Sequence, residues 1–464
     1  MTTAFLSMAE YARRLRDGQL RAVALVDECE ARHARLETRF NAYKTWNGAG
    51  ARTQAQAADL LLGQGVDLGP LMGLPVSVKD LYGVPGLPVF AGSDAELPAA
   101  CRAAGPVVAE VMRQLGNVVG KTHTVEFAFG GLGVNAHWGT PLNPWSGDKP
   151  RVPGGSSSGA GVSLVQGTAL LALGSDTAGS VRIPASVTGQ AGLKTTYGRW
   201  SNEGIVPLSS SLDTPGLLCR TVEDLVYSFQ ALDRALSAAP TAVPEIDDLS
   251  RVRIGVPGNF FWNDADPSVV AALEATIASL SRAGARIVGL TLPHCDEVYE
   301  IFRNGGLAAS ELAAYMQMHF PDKIARLDPV VRARVDGAAQ VSSVEYLRRK
   351  AVLKARGQEA AAVFADVDVI LTPTVAITPP LLEEIQDIAA YGRANLLALR
   401  NTAIGNLFGW CGVTMPVGLD AARMPVGMQL LAAPMQEPGL LGIAAALERH
   451  LGNGIQVLGT APHL

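Results

Sequence analysis

A chain of 464 residues with 48% apolar and 17% charged side chains can build a large core and a deep pocket, which excludes a disordered protein. Its 38 basic and 43 acidic residues leave a mild charge of −5 with no Lys/Arg-rich run, so nucleic acid is not an expected partner. Five widely spaced cysteines without a C-x-x-C read as reduced thiols of a cytoplasmic protein, and neither a signal peptide nor an unbroken apolar membrane span is expected.

Residues 4–65 are rich in Ala, Leu, Glu and Arg and are predicted mostly helical, with breaks at Gly18 and Asn47–Gly50. Phe5, Leu6, Met8, Ala12 and Leu15 recur there at helical spacing. From Leu71 to about Leu225 the character changes. Short apolar runs at Leu74–Val78, Val118–Gly120 and Leu170–Leu173 are predicted strands, and the Gly/Ser-rich loops between them suit a site. Ala238–Ser250, with Pro240 and Pro244, is a predicted surface connector. Strands are predicted at Val252–Val256 and Arg286–Leu290, on either side of a helix that Asp266-Pro267 opens and that runs to about Ala283. Ser342 and Glu345 resemble a capping box for a helix reaching about Phe364. Strands at Val367–Leu371, Gly412–Pro416 and Val426–Leu431 and a helix from about Pro438 to Leu451 follow. This alternation places the chain in the α/β class. The expectation is one domain over 1–464, on a mixed central sheet of many strands covered by helices on both faces. Residues 1–65 would supply N-terminal helices, 71–225 the core, and 250–456 the rest of the sheet and the substrate pocket.

Three segments carry chemistry. In Gly73-Leu-Pro-Val-Ser-Val-Lys79-Asp80 a lysine ends an apolar strand. Such a lysine either reaches solvent along its stem or is buried, its pKa lowered until it can act as a base. Pro153-Gly-Gly155-Ser156-Ser157-Ser158-Gly159 runs straight into an apolar helix-then-strand stretch, which suits a tight turn at a helix start better than a flexible linker. In Gly174-Ser-Asp176-Thr177-Ala178-Gly179-Ser180-Val-Arg182, small residues before a serine let the N–H groups of Thr177, Ala178, Gly179 and Ser180 converge on one point, as an oxyanion hole requires. The alternative there is a Gly-rich turn capping a helix.

Together these runs resemble the amidase signature family: a Gly-Gly-Ser-Ser run, a Gly-x-Asp-x-Gly-x-Ser-x-Arg-x-Pro run 24 positions on between serines, and a strand lysine upstream. The likeness covers nearly the whole chain and is densest from Leu71 to about Asp224. It implies an amidase that cleaves a small-molecule amide-type C–N bond through an acyl-enzyme, without metal or cofactor. It further implies Ser180 as nucleophile, Ser156 as relay, Lys79 as general base, a cis bond before Ser156, and an oxyanion hole at Thr177, Ala178 and Gly179. Asp176 and Arg182 are expected to hold the loop by hydrogen bonds. Ala178 departs from the family's usual glycine, and Val165 from its usual small residue. By the same analogy the N-terminal helices could form a homodimer face. The pocket walls are expected at Glu126–Asn135, Phe302–Met318 and Asn401–Trp410, where aromatic and small residues suit an apolar or aryl group. Primary amides, anilides, carbamates and biuret-like ureas are all candidate substrates. The alternative is the glutamine-hydrolysing component of a tRNA-dependent amidotransferase, against which the single tyrosine of Val344–Lys350 speaks.

Competing signals are weaker. Gly155-Ser-Ser157-Ser-Gly159 fits G-x-S-x-G, but no apolar strand precedes it. Gly116–Thr122 is one residue short of a phosphate loop, and Gly131–Ala136 lacks the strand a dinucleotide site needs. His123 and His137 are read as loop or packing residues, and no Cys/His/Asp/Glu cluster suggests a metal.

Overall fold

The central apolar runs become strands because they are buried on both faces, which is the environment that β-branched residues and Leu fill without alternation. In the computed structural model, which describes residues 6–464, Pro75–Lys79, Asn117–Thr122 and Leu171–Asp176 have every residue buried. Phe5, assigned above to the first helical face, lies outside the described residues. The strands are β1 (Tyr43–Trp46), β2 (Pro75–Lys79), β3 (Asn117–Thr122), β4 (Leu171–Asp176), β5 (Ala191–Lys194), β6 (Thr214–Cys219), β7 (Arg253–Pro257), β8 (Arg286–Leu290), β9 (Val369–Pro373), β10 (Cys411–Leu419) and β11 (Pro425–Ala432). The first helices are α1 (Met8–Arg16), α2 (Ala22–Phe40), α3 (Gly48–Gly63), α4 (Pro106–Arg113), α5 (Ser158–Gln166), α6 (Arg182–Val187) and α7 (Val222–Leu236). They are followed by α8 (Pro267–Arg282), α9 (Cys295–Arg303), α10 (Ala308–His319), α11 (Pro329–Gly337), α12 (Ser343–Ala360), α13 (Ile388–Leu407), α14 (Glu437–Leu451) and α15 (Gly454–Leu458).

Among the described residues the eleven strands form one mixed sheet in the order β1-β3-β2-β4-β6-β5-β10-β11-β9-β7-β8. Segments 6–65, 71–225 and 250–456 all contribute strands to it. β3, β2 and β4 run parallel, so the loops after them emerge at one end. Alternation along β6 sorts the helices onto two faces. Cys219 points at Ser228 of α7 (3.6 Å), whereas at Gly216 a side chain would meet Val181, next to α6. No helix among the described residues is long and apolar enough to cross a membrane.

Local signals explain most ends. Asp266 caps α8 by accepting from Ser268 N (2.8 Å), and Asn41 at φ 52° stops α2. The stretch predicted as helix therefore contains an edge strand, β1. Ser342 does cap α12 (Glu345 N to Oγ, 3.1 Å), but only half of the box exists, because Glu345 turns to Arg348 and Arg349. β5, β6 and α13 carry no readable signal in the sequence. β5 is four residues long, β6 contains Pro215, and the C-terminal half of α13 is buried all round and so shows no apolar stripe.

Candidate active site

The parallel strands deliver the three candidate groups to one end of the sheet. β2 terminates in Lys79, the loop between β3 and α5 carries Ser156, and the turn between β4 and α6 carries Ser180. Close packing of α5 makes this possible: a side chain at Gly159 would come 2.0 Å from the backbone oxygen of Ala42. The Gly155–Ser156 bond is cis.

Lys79 is fully buried, and its Nζ donates to Ser156 Oγ (2.7 Å), Ser175 Oγ (2.9 Å) and Ser175 O (3.4 Å). No carboxylate pairs with it among the described residues. Burial pushes the ammonium down from 10.5 to about 7, against an upward pull from Asp213 and Asp176. Ser180 is joined to the Ser156 loop through its backbone, Ser157 N donating to Ser180 O (3.2 Å). Its hydroxyl bonds to no protein group among the described residues and faces a cavity of about 310 Å³.

Asp176 shapes the turn. Its carboxylate accepts from Gly179 N (2.7 Å) and Val181 N (3.1 Å), while Arg182 donates to it through Nε (3.1 Å) and Nη2 (3.0 Å). Asn406 and Gln429 complete this buried network around Arg182. Although burial opposes ionisation, Arg182 holds the Asp176 carboxyl well below the usual carboxylate range. Of the expected oxyanion donors, Gly179 N–H is thus already engaged, whereas those of Thr177, Ala178 and Ser180 bond to nothing in the described chain. Gly179 has φ +134°, and a side chain there would lie 2.1 Å from Thr402 Oγ1. Ala178 stays out of the positive-φ region, so alanine is tolerated. Val165 packs with Trp145, Met424 and Leu458, away from the cavity.

Sequence reasoning misses Asp213, and it reads Thr402 only as part of the expected Asn401–Trp410 wall, not as a group that holds the turn. Thr177 Oγ1 donates to Asp213 Oδ1 (2.5 Å), whose carboxyl burial raises to about 6, and Thr402 Oγ1 donates to Ala178 O (2.7 Å). Only the third dimension brings them near. The expected walls are partly replaced. Ala128–Gly130 and Phe302–Ala309 do line the cavity, but Glu126 turns to His137 (2.9 Å), and Leu312 and Met316 enter a separate core. From α13 the lining residues are Asn395, Leu396, Leu399 and Leu407. Asn401 instead bonds Phe261 O and Pro373 O, and Trp410 packs on Phe364 and Phe408. Leu208, Leu212 and the Arg334–Val341 segment add walls without a linear signal.

The weaker motifs are absorbed by structure. Ser157 is buried beside Ser175 O (3.4 Å), and Lys121 of the phosphate-loop look-alike pairs with Asp80 (2.8 Å). His123 bonds Asn41 (3.1 Å), and neither it nor His137 lines the Ser180 cavity.

A mixed sheet with this strand-end site defines a hydrolase of amide-type C–N bonds, and the sequence matches the Amidase family over residues 24–441: the chain belongs to that family. It is 66% identical, over the full length of both chains, to a 2-amino-5-chloromuconic acid deaminase of Comamonas testosteroni. It is 32% identical to a component of the glutamyl-tRNA(Gln) amidotransferase of Salinispora arenicola, covering 96% of this chain and 97% of the relative. A crystal structure of an amidase superimposes with a TM-score of 0.85 at 28% identity, over 96% of this chain and 100% of the other. An inhibitor-bound vestigial protein complex, described as revealing the evolutionary origins of an s-triazine catabolic enzyme, gives 0.86 at 28%, over 97% and 99%.

Proposed function

We propose that the chain releases ammonia from an unsaturated amino acid of the 2-aminomuconate type, with Ser180 as nucleophile, Ser156 as relay and Lys79 as base. The observation that carries the chemistry is the 2.7 Å contact between buried Lys79 and Ser156, one peptide unit from the Ser157–Ser180 link. The substrate class rests on the full-length likeness to a deaminase of such an acid.

In the imine tautomer of that acid, the carbon bearing nitrogen is trigonal and electrophilic, like an amide carbonyl carbon. Ser180 Oγ bonds to it while its proton passes through Ser156 to Lys79 Nζ. The C=N electron pair moves onto nitrogen, which takes that proton back and becomes an amino group. Water then gives a proton to this amino group by way of Lys79 and Ser156; the C–N bond breaks with its electron pair on nitrogen, ammonia leaves, and the water oxygen bonds to the carbon. Its remaining proton returns to Ser180 Oγ as the C–O bond to the serine breaks, leaving a ketone. One water is consumed and one C–N bond hydrolysed. With an amide the same steps pass through an acyl-enzyme, and the N–H groups of Thr177, Ala178 and Ser180 receive the oxyanion. Five unpaired cysteines, four of them buried, support a reducing, cytoplasmic setting.

Ammonia release from 2-aminomuconate and its 5-chloro form, aliphatic and aryl amides, a carbamate, biuret and glutamine tests this, with Ser180→Ala as blank. Release from the amino acids without a partner protein, absent in the blank, is the expected result. Release from glutamine alone would assign the chain to the amidotransferase class, and release that survives Ser180→Ala would remove the serine mechanism.

A further inference from the structure

Two arginines and no carboxylate line the cavity that Ser180 faces. Arg303 lies at its exposed margin and pairs with Glu300 (2.7 Å). Arg334, on α11, forms no ion pair among the described residues. It is half-buried, and its Nη1 donates to the Phe129 carbonyl. The guanidinium lies 4.8 Å from the centroid of the Phe129 ring and also donates to the Tyr391 hydroxyl. Phe129 also lines the cavity, so the ring and carbonyl that fix the arginine belong to the same wall. One N–H of the five is committed to the Phe129 carbonyl and another to the Tyr391 hydroxyl, and among the described residues no carboxylate pairs with the rest.

A guanidinium held in place beside apolar surface, partly withdrawn from water and lacking a counter-ion, favours a ligand that brings a carboxylate. Gly305, Gly306, Gly337 and Ala338 on the surrounding walls leave room for a slim unsaturated chain. We infer that Arg334 binds the substrate carboxylate remote from the reacting C–N bond and thereby restricts the enzyme to acids, diacids in particular. Arg334 is here a specificity-determining residue. The inference rests on Ser180 being the reacting centre of this cavity.

The test is kept separate from catalysis by measuring binding in the Ser180→Ala background. Calorimetry with cis,cis-muconate, which has both carboxylates and no amino group, is compared with its neutral dimethyl ester. Arg334→Gln keeps an N–H donor on the side chain but carries no charge, and Arg334→Lys keeps the charge without the fork. Muconate should bind the Arg334 protein best, the Lys variant less well, and the Gln variant at least about tenfold more weakly, the scale of one lost charge-assisted hydrogen bond. The ester should discriminate little among them. With active enzyme, Arg334→Gln should raise KM for the acid substrate far more than it lowers kcat. Failure of the Arg334 protein to bind muconate, equal binding across the series, or equal losses for acid and ester would overturn the inference. Should the Gln variant not fold, the Arg-to-Lys difference between acid and ester decides alone. Loss of turnover in Ser180→Ala remains an independent measure of the catalytic reading.

Discussion

Lys79 Nζ lies 2.7 Å from Ser156 Oγ, and neither side chain has any exposure to solvent. An ammonium placed there would have only serine hydroxyls and one carbonyl to replace its water. The neutral amine is therefore favoured near neutrality, which is the form that accepts a proton. kcat/KM should rise with pH, with a midpoint near 7, and this limb should vanish in Lys79→Met. A profile flat between pH 6 and 9 in the unaltered enzyme would separate Lys79 from the proton transfer.

Asp213 offers a second handle on the same titration. Its charge pulls the Lys79 pKa upward, and its Oδ1 holds Thr177. Asp213→Asn should shift the rising limb to lower pH and lower kcat through the loosened turn. A shift in the opposite direction would contradict the assigned coupling.

Ser180→Ala and Lys79→Met should each lower kcat by roughly 10⁴-fold or more, and the double variant little further, because groups acting as one unit are not additive. Rates are to be compared at matched thermal stability, so that loss of chemistry is not confused with loss of fold.

Lys79→Met should move stability the other way. Below about pH 7 the folded chain carries a buried charge at Lys79, while in the unfolded chain the lysine stays protonated up to its ordinary value of 10.5. Between those limits the unfolded state binds more protons, so the penalty falls as pH rises. Lys79→Met should accordingly stabilise the protein at pH 6.5. That advantage should shrink by about 1.4 kcal/mol per pH unit above about pH 7. Urea unfolding at pH 6.5, 8 and 9 measures it.

Arg182 and Asp176 are fully buried and bonded at two points. Arg182→Leu would strand the carboxylate and should cost about 3–5 kcal/mol. A cost below 1 kcal/mol in urea unfolding would show that the network is not what holds the turn.

The candidate groups are legible in the sequence because they sit in contiguous runs. Lys79 ends a strand whose apolar pattern is plain, and Ser156 and Ser180 lie in small-residue stretches whose only economical reading is a tight backbone. The walls are not legible. Leu208, Arg334 and Leu399 reach the cavity from elements far apart in the chain, and nothing in their neighbours marks them. Composition alone places Asn401 and Trp410 in the wall, but helical rotation turns Asn401 toward Phe261, and Trp410, just past the end of α13, packs on Phe364.

Asn395, Leu399, Thr402 and Asn406 are spaced four, three and four residues apart, so one face of α13 presents all of them. The first two touch the cavity, the third holds Ala178 O, and the fourth joins the Asp176–Arg182 network. A single rigid rod therefore gauges the substrate and sets the reacting turn. A ligand too bulky at Leu399 cannot be accommodated by rolling the rod without dragging the backbone at Ala178, next to Ser180, with it. If Ser180 is the nucleophile, fit and reactivity are geared together, and broadening the substrate range at this wall carries a built-in loss of rate; Arg334, which meets the same helix at Tyr391, is tied to the rod as well.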